Sequence, residues 1–189
     1  GLWPAINEVL VGWARVLKFR AVSPTAGVID SQSIKTTESG GVSGFDAGKK
    51  IKGRKRHIMT DTLGLMLAAV AHSAAIRDRD GAPLVFKATA HRFPTVRHVF
   101  ADGGYAGDKL REALRPIGAF SVETVRRCDM AQGFVLLPRR WVVERTLEWL
   151  GRCRRLAKDW ESSLESSTAW TFVASIRMLT LRIAALGFA

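Results

Sequence analysis

Two strand-length runs, "RKRHIMT" (54–60) and "LGLMLAAVA" (63–71), meet at "DTLG" (61–64). Asp61 and Gly64 suit a reversing backbone, so the stretch predicts two antiparallel strands joined by a tight turn. The β-branched run "GVID" (27–30) lies upstream. Between it and the hairpin, residues 36–48 are rich in Gly, Ser and Thr and lack either hydrophobic period, which predicts a surface loop. Three strands in a row commit half of the sheet to antiparallel pairing and exclude an all-helical bundle or a purely parallel α/β sheet.

The second half of the chain alternates. A helix is predicted from Asp78 to about Ala90, with an acidic start. "VRHVFA" (96–101) is a fourth strand. "AGDKLREALRPIG" (106–118) is a helix closed by Pro116 and Gly118, and "AFSVETV" (119–125) alternates as a fifth strand. In "RRWVVERTLEWLGRCRRLAKDW" (139–160), Val142, Thr146, Trp149, Cys153, Leu156 and Trp160 share one stripe, which predicts a single long amphipathic helix. A last helix is expected over 166–186. The order is three strands, helix, strand, helix, strand and then helices, an α/β arrangement with a mixed sheet and helices on both faces. With 189 residues, 47% of them hydrophobic, the chain can bury one sizeable core.

Lys and Arg number 29 against 17 Asp and Glu, a formal net charge of +12. That balance favours a polyanionic partner, nucleic acid before an anionic membrane surface. The longest apolar stretch, "LGLMLAAVAHSAAI" (63–76), falls short of the about 20 residues of a bilayer span, so no transmembrane helix is expected. The opening segment lacks the basic start and small-residue cleavage site of a signal peptide. Cys128 and Cys153 form no CxxC pair, which argues against zinc and for reduced cytoplasmic thiols.

Two acids stand apart from this basic background. Asp30 and Asp102 each follow a predicted apolar strand, Asp102 within "HVFADGGYAG" (98–107). Ligands of open α/β sheets gather at the carboxyl ends of strands, so the two carboxylates are candidates to converge there. Facing each other without a cation they would repel, and Mg²⁺ removes that penalty through hard oxygen coordination. Turn chemistry alone also accounts for an Asp before two glycines. Lys49, Lys50, Lys52, Arg54, Lys55 and Arg56 crowd into eight positions and are expected to track a phosphate backbone. Tyr105 is expected either to hold a phosphate or to cap its turn, His57 and His72 to pack, and Asp61 to serve its hairpin.

The segments 28–72, "VFADGGYAG" (99–107) and 139–161 together resemble bacterial insertion-sequence DDE transposases of the insertion-sequence-five type. The resemblance implies a ribonuclease H-like catalytic domain over 25–189, preceded by a remnant (1–24) of an N-terminal helical region. It implies Asp30, Asp102 and Glu144 as catalytic, metal-binding acids; helical periodicity alone leaves Glu144 and Glu148 equivalent. Arg140 matches the arginine of the family's final motif, whereas Leu137 and Gly151 depart from its tyrosine and basic positions.

By the same resemblance, Mg²⁺ or Mn²⁺, two ions per site, would support cleavage and strand transfer. The DNA would be double-stranded, element ends and target alike, held by a homo-oligomer assembled on it. No membrane is implied, and the location would be the bacterial cytoplasm near the nucleoid. Two rival expectations remain: a ribonuclease H-like nuclease that hydrolyses without joining, and a decayed remnant that binds nucleic acid without catalysis.

Overall fold

In a computed structural model, which describes residues 1–38, 40–125 and 140–187, six strands and five α-helices surround one mixed sheet. The elements run α1 (Leu2–Val16), β1 (Ala26–Lys35), β2 (Gly44–Asp46), β3 (Ile51–Asp61), β4 (Met66–Ser73), α2 (Asp78–Arg92), β5 (His98–Ala101), α3 (Asp108–Leu114), β6 (Ser121–Thr124), α4 (Arg140–Gly151) and α5 (Leu164–Gly187). β1 is central. It pairs antiparallel with β3 and parallel with β5, β5 pairs parallel with β6, and both β2 and β4 add antiparallel to the far edge of β3. This joining of an antiparallel half to a parallel half is the mixed sheet that the element order predicts.

The turn at 61–64 is set by side-chain chemistry. Asp61 Oδ1 accepts the N–H groups of Leu63 and Leu65, both at 2.9 Å, and Gly64 supplies a φ of +80°. Asp61 is fully buried and ion-paired to Arg15 of α1, so one carboxylate closes the hairpin and ties α1 to it.

Apolar residues cover both faces of the sheet. Ile29, Met59, Val85, Phe86, Val99 and Leu110 form one core beneath α2 and α3; Val28, Ile58, Phe100, Val143, Leu147 and Phe172 form the other beneath α4 and α5. Val11 and Ala14 place α1 in the first core.

Several expectations are corrected. β1 does not end at Asp30; it continues to Lys35 because β3 pairs it as far as Lys35↔Gly53. The expected loop at 36–48 contains the short strand β2. The single helix expected over 139–160 is α4 alone, followed by a 3-10 turn at Arg154–Leu156. The break lets Asp159 reach the end of β1, where its N–H donates to Lys35 O at 2.9 Å. α5 is long and apolar enough, by length and composition, to cross a membrane. Only 28% of that stretch is buried inside the chain: Phe172, Ala174 and Leu179 enter the cores, Ser167, Thr171 and Ser175 are buried, and Ser175 Oγ donates to Asn7 Oδ1 of α1 at 2.7 Å.

Candidate active site

Asp30 lies where the central strand loses a neighbour. The β1–β5 ladder ends at Val28↔Phe100, and beyond it Asp30 remains in β1 while Asp102 leaves β5 into a 3-10 turn (Gly103–Tyr105). Asp102 caps that turn, its Oδ1 accepting the N–H of Gly104 at 2.7 Å. Neither Gly103 nor Gly104 has positive φ, so backbone freedom is not their role. A Cβ on Gly104 would sit 2.9 Å from Asp102 Oδ1, whereas one on Gly103 would meet nothing.

Asp30 senses the charge of Asp102. Burial, and after it the charge of Asp102, push Asp30 up to about 6 against the lowering effects of the Ser31 N–H, Lys49 and Arg140. That N–H donates to Asp30 Oδ1 at 2.7 Å, and Lys49 Nζ donates to Ser31 O at 3.0 Å. Arg140 joins the third candidate to the pair: its Nη2 is 3.0 Å from Glu144 Oε1 and 3.8 Å from Asp102 Oδ2. The tie follows from i, i+4 spacing at the start of α4. Glu148 lies one turn further along α4. Among the described residues no three His, Cys, Asp or Glu side chains are grouped closely enough to hold a metal ion by themselves. Asp30 and Asp102 converge, and Glu144 connects to them through Arg140.

The basic run divides in two. Lys49, Lys50 and Lys52 are exposed around the β2–β3 turn, Lys50 at a φ of +52°. Arg54, Lys55 and Arg56, expected on DNA, are buried instead. Arg54 bonds Asp159 Oδ1 at 3.1 Å and the carbonyls of Val42, Glu161 and Ser162 at 2.7, 2.7 and 3.1 Å. Lys55 pairs with Asp78 at 2.7 Å and Asp46 at 3.3 Å. Arg56 donates to Leu156 O at 2.6 Å. Segments packed over both faces of β3 pair with these side chains and leave the three no surface to offer a phosphate. Leu137, one of the two departures from the family's motif, lies outside the described residues.

Sequence reasoning missed a buried polar layer on the opposite face of β1. Ser31 donates to Asp78 and Ser33 to Asp46, at 2.7 and 2.5 Å, and Lys55 serves both acids. Tyr105 neither faces a phosphate nor caps through its hydroxyl: it is 1% exposed, with its oxygen 2.7 Å from His57 Nε2. Burial first, then His72, hold His57 down to about 3, so its ring is neutral. A lysine and a histidine two apart on one strand face (Lys55, His57) were the available signal.

The model of the family described as "Transposase DDE domain" matches residues 22–179. A putative transposase for insertion sequence element IS402 from Burkholderia cepacia is 39% identical over 111 residues, which cover 55% of this chain and 52% of that protein. The chain thus spans about half the length of the curated relative it matches. Superposition on the catalytic domain of Mos1 mariner transposase gives a TM-score of 0.43 at 12% identity, over 97% of this chain and 89% of that one.

Proposed function

The chain belongs to the transposase DDE-domain family, and on that premise we propose that it catalyses metal-dependent cleavage and strand transfer of double-stranded DNA, with Asp30, Asp102 and Glu144 as its metal-binding acids. The observation that carries the reading is that Asp30 and Asp102 each lie two residues beyond the last β1–β5 pair, Val28↔Phe100, at the point where the two strands part. A carboxyl raised by burial and a like charge is a group that a cation would relieve.

The donor set fits the metal. Carboxylate oxygens are hard ligands suited to Mg²⁺, with Mn²⁺ as a substitute, and Asp30 and Asp102 would hold it. A pair of such ions, when bound, supplies Lewis acidity to a phosphoryl oxygen and a water nucleophile at neutral pH. Glu144 is half-exposed and held by Arg140, so it can complete the set when Arg140 turns to a phosphate. Lys49 adds positive charge beside Asp30, and Lys50 and Lys52 extend it over the neighbouring surface. DNA ends and target would be held by this rim and by further copies of the chain, in a bacterial cytoplasm near the nucleoid.

The test is a labelled duplex carrying an element end, incubated with a target plasmid in Mg²⁺ or Mn²⁺. Cleaved and joined products are expected. Cleavage without joining would replace the reading by a nuclease, and binding without nicking by a non-catalytic remnant.

The split in the basic run makes a separate prediction. Each phosphate contact contributes about −0.9 to the slope of log K against log salt, so Lys49→Ala, Lys50→Ala and Lys52→Ala combined should flatten it by about two to three units. An unchanged slope in a fluorescence-anisotropy titration would make these lysines a solvated face.

A further inference from the structure

We propose that Tyr105 is a positioning residue for the candidate metal site: its hydroxyl, hydrogen-bonded to His57, anchors the Asp102 turn against the β1–β3 pair and so fixes the Asp102 carboxylate relative to Asp30. The inference rests on the reading of those acids as metal ligands.

Both acids lie two residues beyond the last β1–β5 pair, Val28↔Phe100, so no ladder holds their separation. The turn from Asp102 to Tyr105 is one unit. Tyr105 N–H donates to Asp102 O at 3.1 Å and Gly104 N–H to Asp102 Oδ1 at 2.7 Å, so a displacement of Tyr105 displaces Asp102. At its other end Tyr105 reaches His57, which stands directly opposite Ser31, the neighbour of Asp30, in the β1–β3 ladder.

The anchor has one direction of hydrogen bonding. His72 Nδ1 is 3.0 Å from Ser73 O, and a carbonyl only accepts, so that nitrogen carries the proton and His72 Nε2 accepts. His57 Nδ1, 3.3 Å away, therefore donates to His72, and His57 Nε2 accepts from the Tyr105 hydroxyl at 2.7 Å. Each ring is thus held in one tautomer by the next. Helix α2 closes over the chain at Gly81, where a Cβ would lie 2.5 Å from His72 Nε2 and 3.2 Å from His57 Nδ1. A phenylalanine would fill the packing space of the Tyr105 ring in the first core equally well. A buried hydroxyl costs desolvation unless it is bonded, and once bonded it specifies one geometry.

The experiment measures Mn²⁺ affinity of this chain by calorimetry, without DNA, alongside its Tm. Tyr105→Phe should weaken Mn²⁺ binding by about tenfold or more, the size usual for the loss of a group that orients a metal ligand. Its Tm should fall by only about 2–6 °C. Gly81→Ala, which touches neither acid, should weaken binding in the same direction by pushing on the two histidines. Leu114→Ala, in the core beneath α3, should lower Tm as much or more and bind Mn²⁺ like the parent. Parental affinity in Tyr105→Phe, with binding still lost in Asp102→Asn, overturns this inference alone. Binding in the parent that Asp102→Asn leaves untouched overturns the site reading and the inference with it.

Discussion

Asp102→Asn is expected to cut metal-dependent nicking by at least about 10³ while the chain stays folded, since a bound cation supplies several kcal/mol to such a reaction and each 1.36 kcal/mol is about tenfold in rate. The amide keeps the cap, because its oxygen can still accept the Gly104 N–H, and removes only the charge. Glu144→Gln should fall comparably. Glu148→Gln, one turn further on, should nick like the parent, and the reverse result would move the third acid to Glu148. DNA binding should persist in all of them. Asp61→Asn is no neutral control, because its carboxylate is buried against Arg15.

Asp30→Asn carries a second signature, in metal-free buffer. The folded pKa of Asp30 is raised to about 6 from an ordinary 3.8, so the native state holds the proton more tightly than the unfolded chain does. The stability this confers is fully present below about pH 4 and is lost as pH rises through about 6. At pH 7.5 the ionised carboxylate is therefore a net cost, and Asp30→Asn should raise Tm by about 2–6 °C, an advantage that vanishes near pH 4. His57, held down to about 3, acts oppositely: stability falls as pH drops below its unfolded value of about 6.5. Because both variants keep His57, the difference between them isolates Asp30. An equal or lower Tm at pH 7.5 would mean that the acid is already compensated without metal.

The fold was legible wherever local chemistry and tertiary role coincide. "DTLG" specifies its turn through a side chain and a glycine within four residues, and the antiparallel half of the sheet follows from it. The second half of β1 is not legible in the sequence because it owes its strand geometry to β3, a partner that no local pattern in "SQSIK" announces. The long amphipathic stripe predicts one helix because helical periodicity continues across Gly151. What ends α4 is the non-local attachment of Asp159 to β1 and Arg54. At the site, Asp30 and Asp102 were legible as acids beside strands. Lys49, Lys50 and Lys52 differ from Arg54, Lys55 and Arg56 only in what lies beside them. β3 is flanked by β1 and by β2 or β4 and covered on both faces, so its long cations turn inward to carboxylates and carbonyls supplied from up to 109 residues away. Charge counting has no access to that.

Arg54 therefore gives the second large effect, on folding rather than on DNA. Its guanidinium and the Asp159 carboxylate are both fully buried. Asp159 also accepts from Ser167 Oγ at 2.5 Å and from the Glu161 N–H at 3.1 Å, so the pair joins β3, the segment after α4 and the start of α5. Arg54→Met removes one partner and strands the other. Breaking a buried pair in this way costs about 3–5 kcal/mol, which for a chain of this size lowers Tm by about 6–20 °C. Arg54→Lys should recover little, because one ammonium cannot replace a planar fork that serves Val42 O, Asp159, Glu161 O and Ser162 O together. Adding Asp159→Leu to Arg54→Met should restore part of the loss by removing the stranded charge, a coupling that a double-mutant cycle reads directly. Lys52→Ala is the contrast: an unchanged Tm and a salt slope shallower by about one unit. Should Arg54→Met instead melt with the parent while DNA binding weakens, its guanidinium must leave the core to meet phosphate, and the whole basic run would return to the DNA interface.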